Sequence, residues 1–313
     1  MTAVPAPPDA AWLPAVARWC GAPATVRGRT PLAGGYVSDT VARVDLDVAG
    51  RSVPVVVKRA SAAEVAAMRG LAVVRGLDRP RMLATGRDEH GDWLVLPFYD
   101  GTPLGEGPDV PDDVWTALAR VHAHWLGKRP RGLRVVDAAW WRSLCVERIR
   151  PAVQGAAERT GDRVFADAAA ALTAWARDPR VLAALGVLPR TLVHGDAHRG
   201  NVLLGSGGAT LIDWGNAKVA PAGLDLAVFR AQGATHLAPY RRAFAELTGG
   251  GLPPELIEVE RCWSDVYAHV GYLGFAADHL GAARVAEMIG AATRSLEELR
   301  PALAALGSAV TPQ

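Results

Sequence analysis

His194, Asp196, His198, Asn201 and Asp213 fall within one stretch of twenty residues, HGDAHRGNVLLGSGGATLID. Short apolar or β-branched runs at 202–204 and 210–212 predict two strands, and the Gly-Ser-Gly-Gly between them is turn material. With Leu204 opposite Thr210, Asn201 stands opposite Asp213. Facing residues of an antiparallel pair bring their Cβ atoms to roughly 5 Å, so a carboxamide and a carboxylate converge on one point. Such a sparse oxygen pair suits Mg2+, which fills its other positions with water and substrate phosphates. Asp196, in the loop before the hairpin, is placed to address a second reactant beside the metal. Without chemistry, the same residues make only a polar hairpin.

HGDAHRGN followed by IDWGNA resembles the catalytic loop and metal-binding Asp segment of the aminoglycoside phosphotransferase and choline kinase superfamily, relatives of protein kinases. The resemblance implies that Asp196 receives the proton of an acceptor hydroxyl and that Asn201 and Asp213 hold Mg2+ on the phosphates of ATP or GTP. It gives His198, two residues after Asp196, a secondary catalytic role at the transferring phosphate. Arg199 departs from the family's frequent proline and is expected to face water.

The rest of the chain must then supply a nucleotide-binding lobe and an acceptor site. With 313 residues, half of them hydrophobic, and a net charge of +2, the chain is long enough for two lobes and a sizeable core. The near-neutral charge gives no support for a nucleic-acid partner. Cys20, Cys145 and Cys262 are far apart and lack metal-ligand spacing, which reads as reduced thiols of a cytoplasmic protein. No stretch has the pattern of a signal peptide or the roughly 18 apolar residues of a membrane span. Only Lys58, Lys128 and Lys218 are lysines among 34 basic residues, so each lysine raises a question about its chemistry.

Trp12, Leu13, Val16 and Trp19 recur at helical spacing, predicting a short helix packed on the first lobe. The segment PLAGGYVSDT then leads into a partly alternating strand, VARVDL. Strand, glycine-rich turn and strand can close over phosphates with backbone N–H donors, which makes Gly34, Gly35 and Ser38 candidates. This loop departs from the GxGxxG of protein kinases and resembles the looser loop of small-molecule kinases.

VPVVVKR is a nearly continuous apolar strand ending in Lys58, the candidate phosphate-binding lysine. Glu64 follows as its ion-pair partner or, alternatively, as the far member of a capping box begun by Ser61. Two strands about the turn at 88–92 run into Pro-Phe-Tyr-Asp-Gly, resembling the hinge between lobes, where the backbone near Leu96 and Phe98 would meet the purine. His122, ending an apolar-striped helix, reads as a packing histidine.

Residues 137–188 are alanine-rich and helical in pattern, with Trp140, Trp141 and Trp175 marking buried or substrate-facing points. The resemblance places part of the acceptor site here. Asp225 sits near a helix start and reads as structural. Only eleven residues separate it from Asp213, leaving no room for a protein kinase's activation loop, so a small-molecule acceptor is expected. Along 254–276 an apolar stripe of Leu256, Val259, Trp263, Val266, Val270 and Leu273 opposes a polar face. If that face rims the acceptor cleft, Asp265, His269 and Tyr272 could touch substrate. Ten acidic residues against seven arginines from 222 onward is a mild excess, unlike the strongly acidic pocket a polycationic aminoglycoside would draw.

The expected fold is α+β and two-lobed, resembling protein kinases. An N-terminal tail and helix (1–24) precede an antiparallel-sheet N-lobe with one helix (25–96) and a hinge (97–103). A mainly helical C-lobe (104–313) carries the catalytic hairpin. The expected activity is transfer of the γ-phosphate of ATP or GTP to a small-molecule hydroxyl, with Mg2+ as cofactor and no nucleic-acid or membrane partner. An antibiotic is the leading acceptor; a sugar, choline-like or amino-alcohol metabolite is the alternative. A metallophosphoesterase would want an N-terminal Asp-x-His and a later His-x-His, and neither is present. An inactive binding module would typically have lost Lys58, Asp196, Asn201 or Asp213, and all four remain.

Overall fold

The computed structural model describes residues 4–32, 41–107 and 109–310. Helix α1 (Asp9–Cys20) opens the chain and ends at Gly21, whose left-handed backbone stops it. It buries Trp12 and Val16 against the first sheet, whereas Trp19 is 46% exposed and takes no part in that contact. Strands β1 (Ala24–Pro31), β2 (Val41–Val48) and β3 (Arg51–Ala60) follow, then α2 (Ala62–Leu71), β4 (Ala84–Asp88) and β5 (Gly91–Pro97). The five strands form one antiparallel sheet in the order β1-β2-β3-β5-β4.

Alternation explains which face of this sheet is covered. Val44, Leu46 and Val48 of β2 and Val55 and Val57 of β3 all point one way and are buried with Trp12 and Val16. Lys58 is the next residue of β3 and so lies on the opposite face, toward α2.

After the short strand β6 (Thr102–Pro103), α3 (Asp112–Trp125) begins the helical part. It continues with α4 (Ala138–Ser143), α5 (Arg150–Thr160), α6 (Arg163–Trp175) and α7 (Pro179–Val187). Strands β7 (Thr191–Val193), β8 (Val202–Gly205), β9 (Gly208–Leu211) and β10 (Lys218–Ala220) then carry the motif residues. Helices α8 (Gly223–Ala231), α9 (Ala238–Thr248), α10 (Pro254–Gly271), α11 (Leu273–His279) and α12 (Ala282–Val310) complete the chain. β10 pairs with β7, and β6, β8 and β9 form a second small sheet.

The stripe expected along 254–276 is buried as a stripe: Val259, Trp263, Val266, Val270 and Leu273 are inaccessible in the helical core. The helix breaks at Tyr272, however, because Gly271 ends α10 before α11 restarts. No helix among the described residues is long and apolar enough to cross a membrane. Cys145 and Cys262 are buried and Cys20 half-buried, all as free thiols.

The hairpin register differs by one residue from the sequence expectation. Leu203, not Leu204, faces Thr210, and Gly205 pairs with Gly208 around a two-residue turn. Both glycines join the ladder, Gly208 through a positive φ of 89° that suits a tight hairpin. The backbone of Asn201 therefore meets Ile212, whose N–H it accepts at 2.8 Å, and Asp213 lies one residue beyond the pair. Asp213 then adopts a left-handed backbone (φ 61°, ψ 65°) that turns its side chain out of the hairpin.

Candidate active site

Lys58, Glu64 and Asp213 come together although the first and last are 155 positions apart in the chain. β3 presents Lys58 between Val41 and Leu94 of its neighbours. The Ser61 hydroxyl oxygen accepts the Glu64 N–H at 3.1 Å, capping α2. The Glu64 carboxylate does not reach back to close a capping box; it takes the Lys58 ammonium at 2.7 Å. Asp213 Oδ1 lies 3.3 Å from the same ammonium. Burial pulls Lys58 down, but Glu64 and Asp213 outweigh it and hold the ammonium above its ordinary value. The Asp213 side chain is 58% exposed, leaving it open to a ligand.

These contacts fix the position of the Lys58 ammonium. Lys58→Met is expected to weaken ATP binding by about 10- to 100-fold, the range of a lost charged hydrogen bond. Calorimetric titration of the variant measures this directly, and unchanged affinity would remove Lys58 from the nucleotide site.

The second cluster surrounds Asp196, which follows β7. Gly195 has φ 80°, and a Cβ there would sit 2.2 Å from the Asn216 carbonyl oxygen, so only glycine lets the loop approach the segment after Asp213. The N–H groups of His194 and Gly195 each donate to the buried Asp225 carboxylate at 2.8 Å. His122 Nε2 lies 3.2 Å from Asp225, and its Nδ1 lies 2.9 Å from the Tyr240 hydroxyl. Both Asp225 and His122 are fully buried, so together they anchor the loop that begins at His194.

Asp196 itself is half-buried. Its Oδ1 accepts the Tyr272 hydroxyl at 2.7 Å and its Oδ2 accepts Asn216 Nδ2 at 3.2 Å. Burial and the neighbouring Asp196 charge push the Tyr272 phenol well above its ordinary value, so it serves as a donor at neutral pH. His198 caps the turn at 199–201 by accepting the Gly200 N–H on Nδ1 at 3.0 Å. Asn201 Nδ2 donates to the Asp196 backbone carbonyl at 3.0 Å. That bond fixes the amide and leaves its oxygen as the free acceptor. Asn201 offers an amide oxygen and Asp213 an exposed carboxylate, the hard oxygen donors that Mg2+ completed by phosphate and water would take.

His194 is not placed for chemistry. It is fully buried against the Trp214 ring, at 4.6 Å between centroids, with Nε2 on the Ile212 carbonyl at 2.8 Å. Burial holds it below its ordinary value, so it is neutral at pH 7.

Arg199 does not face water. It is 5% exposed, and its guanidinium donates to the carbonyls of Gly105 at 2.7 Å, Asp109 at 3.1 Å and Gly107. The arginine ties the segment after β6 onto the loop between β7 and β8, so its charge is spent on backbone oxygens.

Gly34, Gly35 and Ser38 lie outside the described residues. Leu96 pairs with Val56 in the sheet, and Phe98 donates its N–H to the Pro54 carbonyl at 3.2 Å, so that donor is already used within the chain. The Phe98 ring sits under the Arg43 guanidinium at 4.6 Å. Among the three acceptor candidates, Tyr272 reaches Asp196. Asp265 is held by Arg230 at 2.6 Å and Arg261 at 3.2 Å, and half-buried His269 makes no hydrogen bond to Asp196 or Tyr272 among the described residues. Sequence reasoning missed Asn216, Tyr267 and the position of Lys218. The signal available was the scarcity of lysine, with Lys218 five residues after Asp213.

The fold is shared with solved structures of other proteins. A structure from Thermobifida fusca, provisionally named fructosamine-3-kinase, superposes with a TM-score of 0.54 at 21% identity, covering 91% of this chain and 98% of that one. A choline/ethanolamine kinase family protein from Mesorhizobium loti gives 0.53 at 13% identity over 88% and 92%. A thermostable mutant of aminoglycoside phosphotransferase APH(4)-Ia, in ternary complex with AMP-PNP and hygromycin B, gives 0.51 at 18% identity over 88% and 95%. These likenesses establish the fold. No curated protein matches the sequence. The model of the phosphotransferase enzyme family, APH, matches residues 28–258, the greater part of the chain, and the chain accordingly belongs to that family of small-molecule kinases.

Proposed function

We propose that this kinase transfers the γ-phosphate of ATP or GTP to a hydroxyl of a small cytoplasmic molecule, with Asp196 receiving the hydroxyl proton. The observation that carries the reading is the hydroxyl already seated on Asp196: Tyr272 donates to its carboxylate at 2.7 Å, the geometry an acceptor alcohol needs. The acceptor oxygen forms a bond to the γ-phosphorus while the bond from that phosphorus to the β,γ-bridging oxygen breaks. The proton goes to Asp196 and the nucleoside diphosphate leaves. Lys58, set by Glu64, neutralises phosphate charge, and Asn216 orients Asp196 through its second oxygen. Asn201 and Asp213 would hold Mg2+, which when bound neutralises charge on the phosphates. The residue most suited to assist at the transferring group is His198, whose Nδ1 is fixed by Gly200.

The leading acceptor is an antibiotic less cationic than an aminoglycoside, and the alternative is a hydroxylated metabolite. The mild acidic excess after residue 222 supports both over a polycation. Screening antibiotics and hydroxylated metabolites with γ-labelled nucleotide is expected to yield a labelled, acceptor-dependent product. If only metabolites are labelled, the antibiotic reading fails. Phosphate release with no acceptor dependence would instead favour a hydrolase.

A further inference from the structure

Lys218 is a cation in search of an anion. Its strand, β10, pairs with β7 so that Lys218 lies opposite Val193, three residues before Asp196. The ammonium rests 3.5 Å from the Gly195 carbonyl oxygen and 3.4 Å from the Tyr267 hydroxyl, both at the outer limit of hydrogen bonding. Lys58 is paired with two carboxylates, whereas among the described residues no carboxylate lies within 4.0 Å of Lys218 Nζ. A half-buried ammonium without a counter-ion is costly, and it becomes favourable when a ligand brings the opposite charge.

The surroundings are aromatic. Lys218 Nζ lies 5.9 Å from the Trp140 ring centroid and 5.8 Å from that of Tyr267, a partial compensation for its charge. Trp140 stacks on Tyr267 at 5.9 Å, and Tyr267 stacks on Trp263 at 5.8 Å. Trp263 is fully buried and Trp140 half-buried, so the three rings form a wall rooted in the core and ending near solvent. Tyr272, on the same side, bonds Asp196. The acceptor side of the catalytic loop thus offers an aromatic wall, a free positive charge and one carboxylate committed to chemistry. Asp265, also on α10, is paired with two arginines.

We propose that the acceptor is a hydroxylated ring compound carrying an anionic group, a carboxylate or a phosphate, that Lys218 binds while Trp140 meets the ring. This inference rests on Asp196 being the proton acceptor proposed above. Lys218 and Trp140 are then specificity-determining residues: they select against cationic acceptors and leave the phosphate chemistry to Lys58, Asp196, Asn201 and Asp213.

Two measurements on the full chain test it. The first uses ring-matched probes, glucuronic acid, glucose 6-phosphate, glucose and glucosamine, with saturating Mg2+ and ATP. Reductive dimethylation of Lys218, followed by mass spectrometry with Lys128 as the internal reference, is expected to slow with one or both acids and not with the amine. Protection by the uronic acid alone identifies a carboxylate, and protection by the sugar phosphate alone a phosphate. Equal labelling of Lys218 with every probe, or protection by glucosamine, overturns the proposal. The second scores the charge of every compound phosphorylated in a library balanced for acids, neutral compounds and amines. Acids are expected to exceed amines about tenfold in kcat/KM, chiefly through KM, and Lys218→Glu to reverse the order. Efficient transfer to amines by the unaltered enzyme overturns this inference and leaves the phosphotransferase reading standing. Failure of ATP to bind would instead remove that reading, while the protection result still judges Lys218.

Discussion

Asp196→Ala is expected to lower phosphoryl transfer by about 10²- to 10⁴-fold, the contribution of a positioned general base, while ATP still binds with near-normal affinity. The separation follows from the geometry. Asp196 touches Tyr272 and Asn216, whereas the groups placed for phosphate, Lys58, Glu64 and Asp213, contact one another and not the Asp196 carboxylate. Asp196→Asn is the stricter version. It retains an oxygen for the Tyr272 hydroxyl and changes the volume little, so a comparable loss in that variant assigns the effect to proton transfer and not to a disturbed loop. Steady-state turnover with any accepted alcohol, beside calorimetric ATP titration, gives both numbers. Near-normal turnover in either variant would sink the assignment of Asp196.

Asp225→Ala is expected to cost about 3–5 kcal/mol of stability, the penalty for breaking a buried, hydrogen-bonded charge. The carboxylate is inaccessible and accepts the N–H groups of His194 and Gly195 at 2.8 Å, with His122 at 3.2 Å. Removing it strands two buried backbone donors at the base of the loop that carries Asp196, so turnover falls with stability. A urea titration showing a loss below about 1 kcal/mol would contradict this anchoring role. The same group predicts an acid limit. Burial raises the Asp225 carboxyl, but hydrogen bonding and charge from His122, with His194 and Gly195, outweigh it and hold it below the ordinary carboxylate range. A carboxyl depressed in the folded state contributes fully above its unfolded pKa of about 3.9 and loses that contribution as pH falls through the lower folded value. The unaltered protein should therefore lose stability steeply below about pH 4, and the Asp225→Ala variant should lose that part of the slope.

Periodicity made much of the fold legible because burial follows it directly. Partial alternation in β2 marked Val44 and Leu46 and the apolar run of β3 marked Val55 and Val57, all of them buried, and the helical stripe of α10 marked Val259, Trp263, Val266 and Val270, which are buried too. The stripe could not show the break at Tyr272, since the apolar register continues across it to Leu273. Yet that break is where the Tyr272 hydroxyl meets Asp196. The hairpin register was misread because four turn-forming residues suit either a four-residue or a two-residue loop, and only the pairing of Gly205 with Gly208 decides between them. Arg199 was misread because its partners are backbone carbonyls around residue 107, which carry no side-chain signal.

What the sequence by itself determined is the phosphotransferase family, because HGDAHRGN and IDWGNA are motifs local in the chain. Tertiary structure alone decided how those residues are held and what they face. Glu64 could cap its own helix or pair with Lys58, and the approach of β3 to α2 settled it with a 2.7 Å ion pair. Asp225 reads as a helix-start residue until folding brings it under His194 and Gly195. Lys218, Trp140, Tyr267 and Tyr272 come from β10, α4 and α10 with its C-terminal end, and no local pattern joins them. Their meeting depends on long-range packing, which no local pattern encodes.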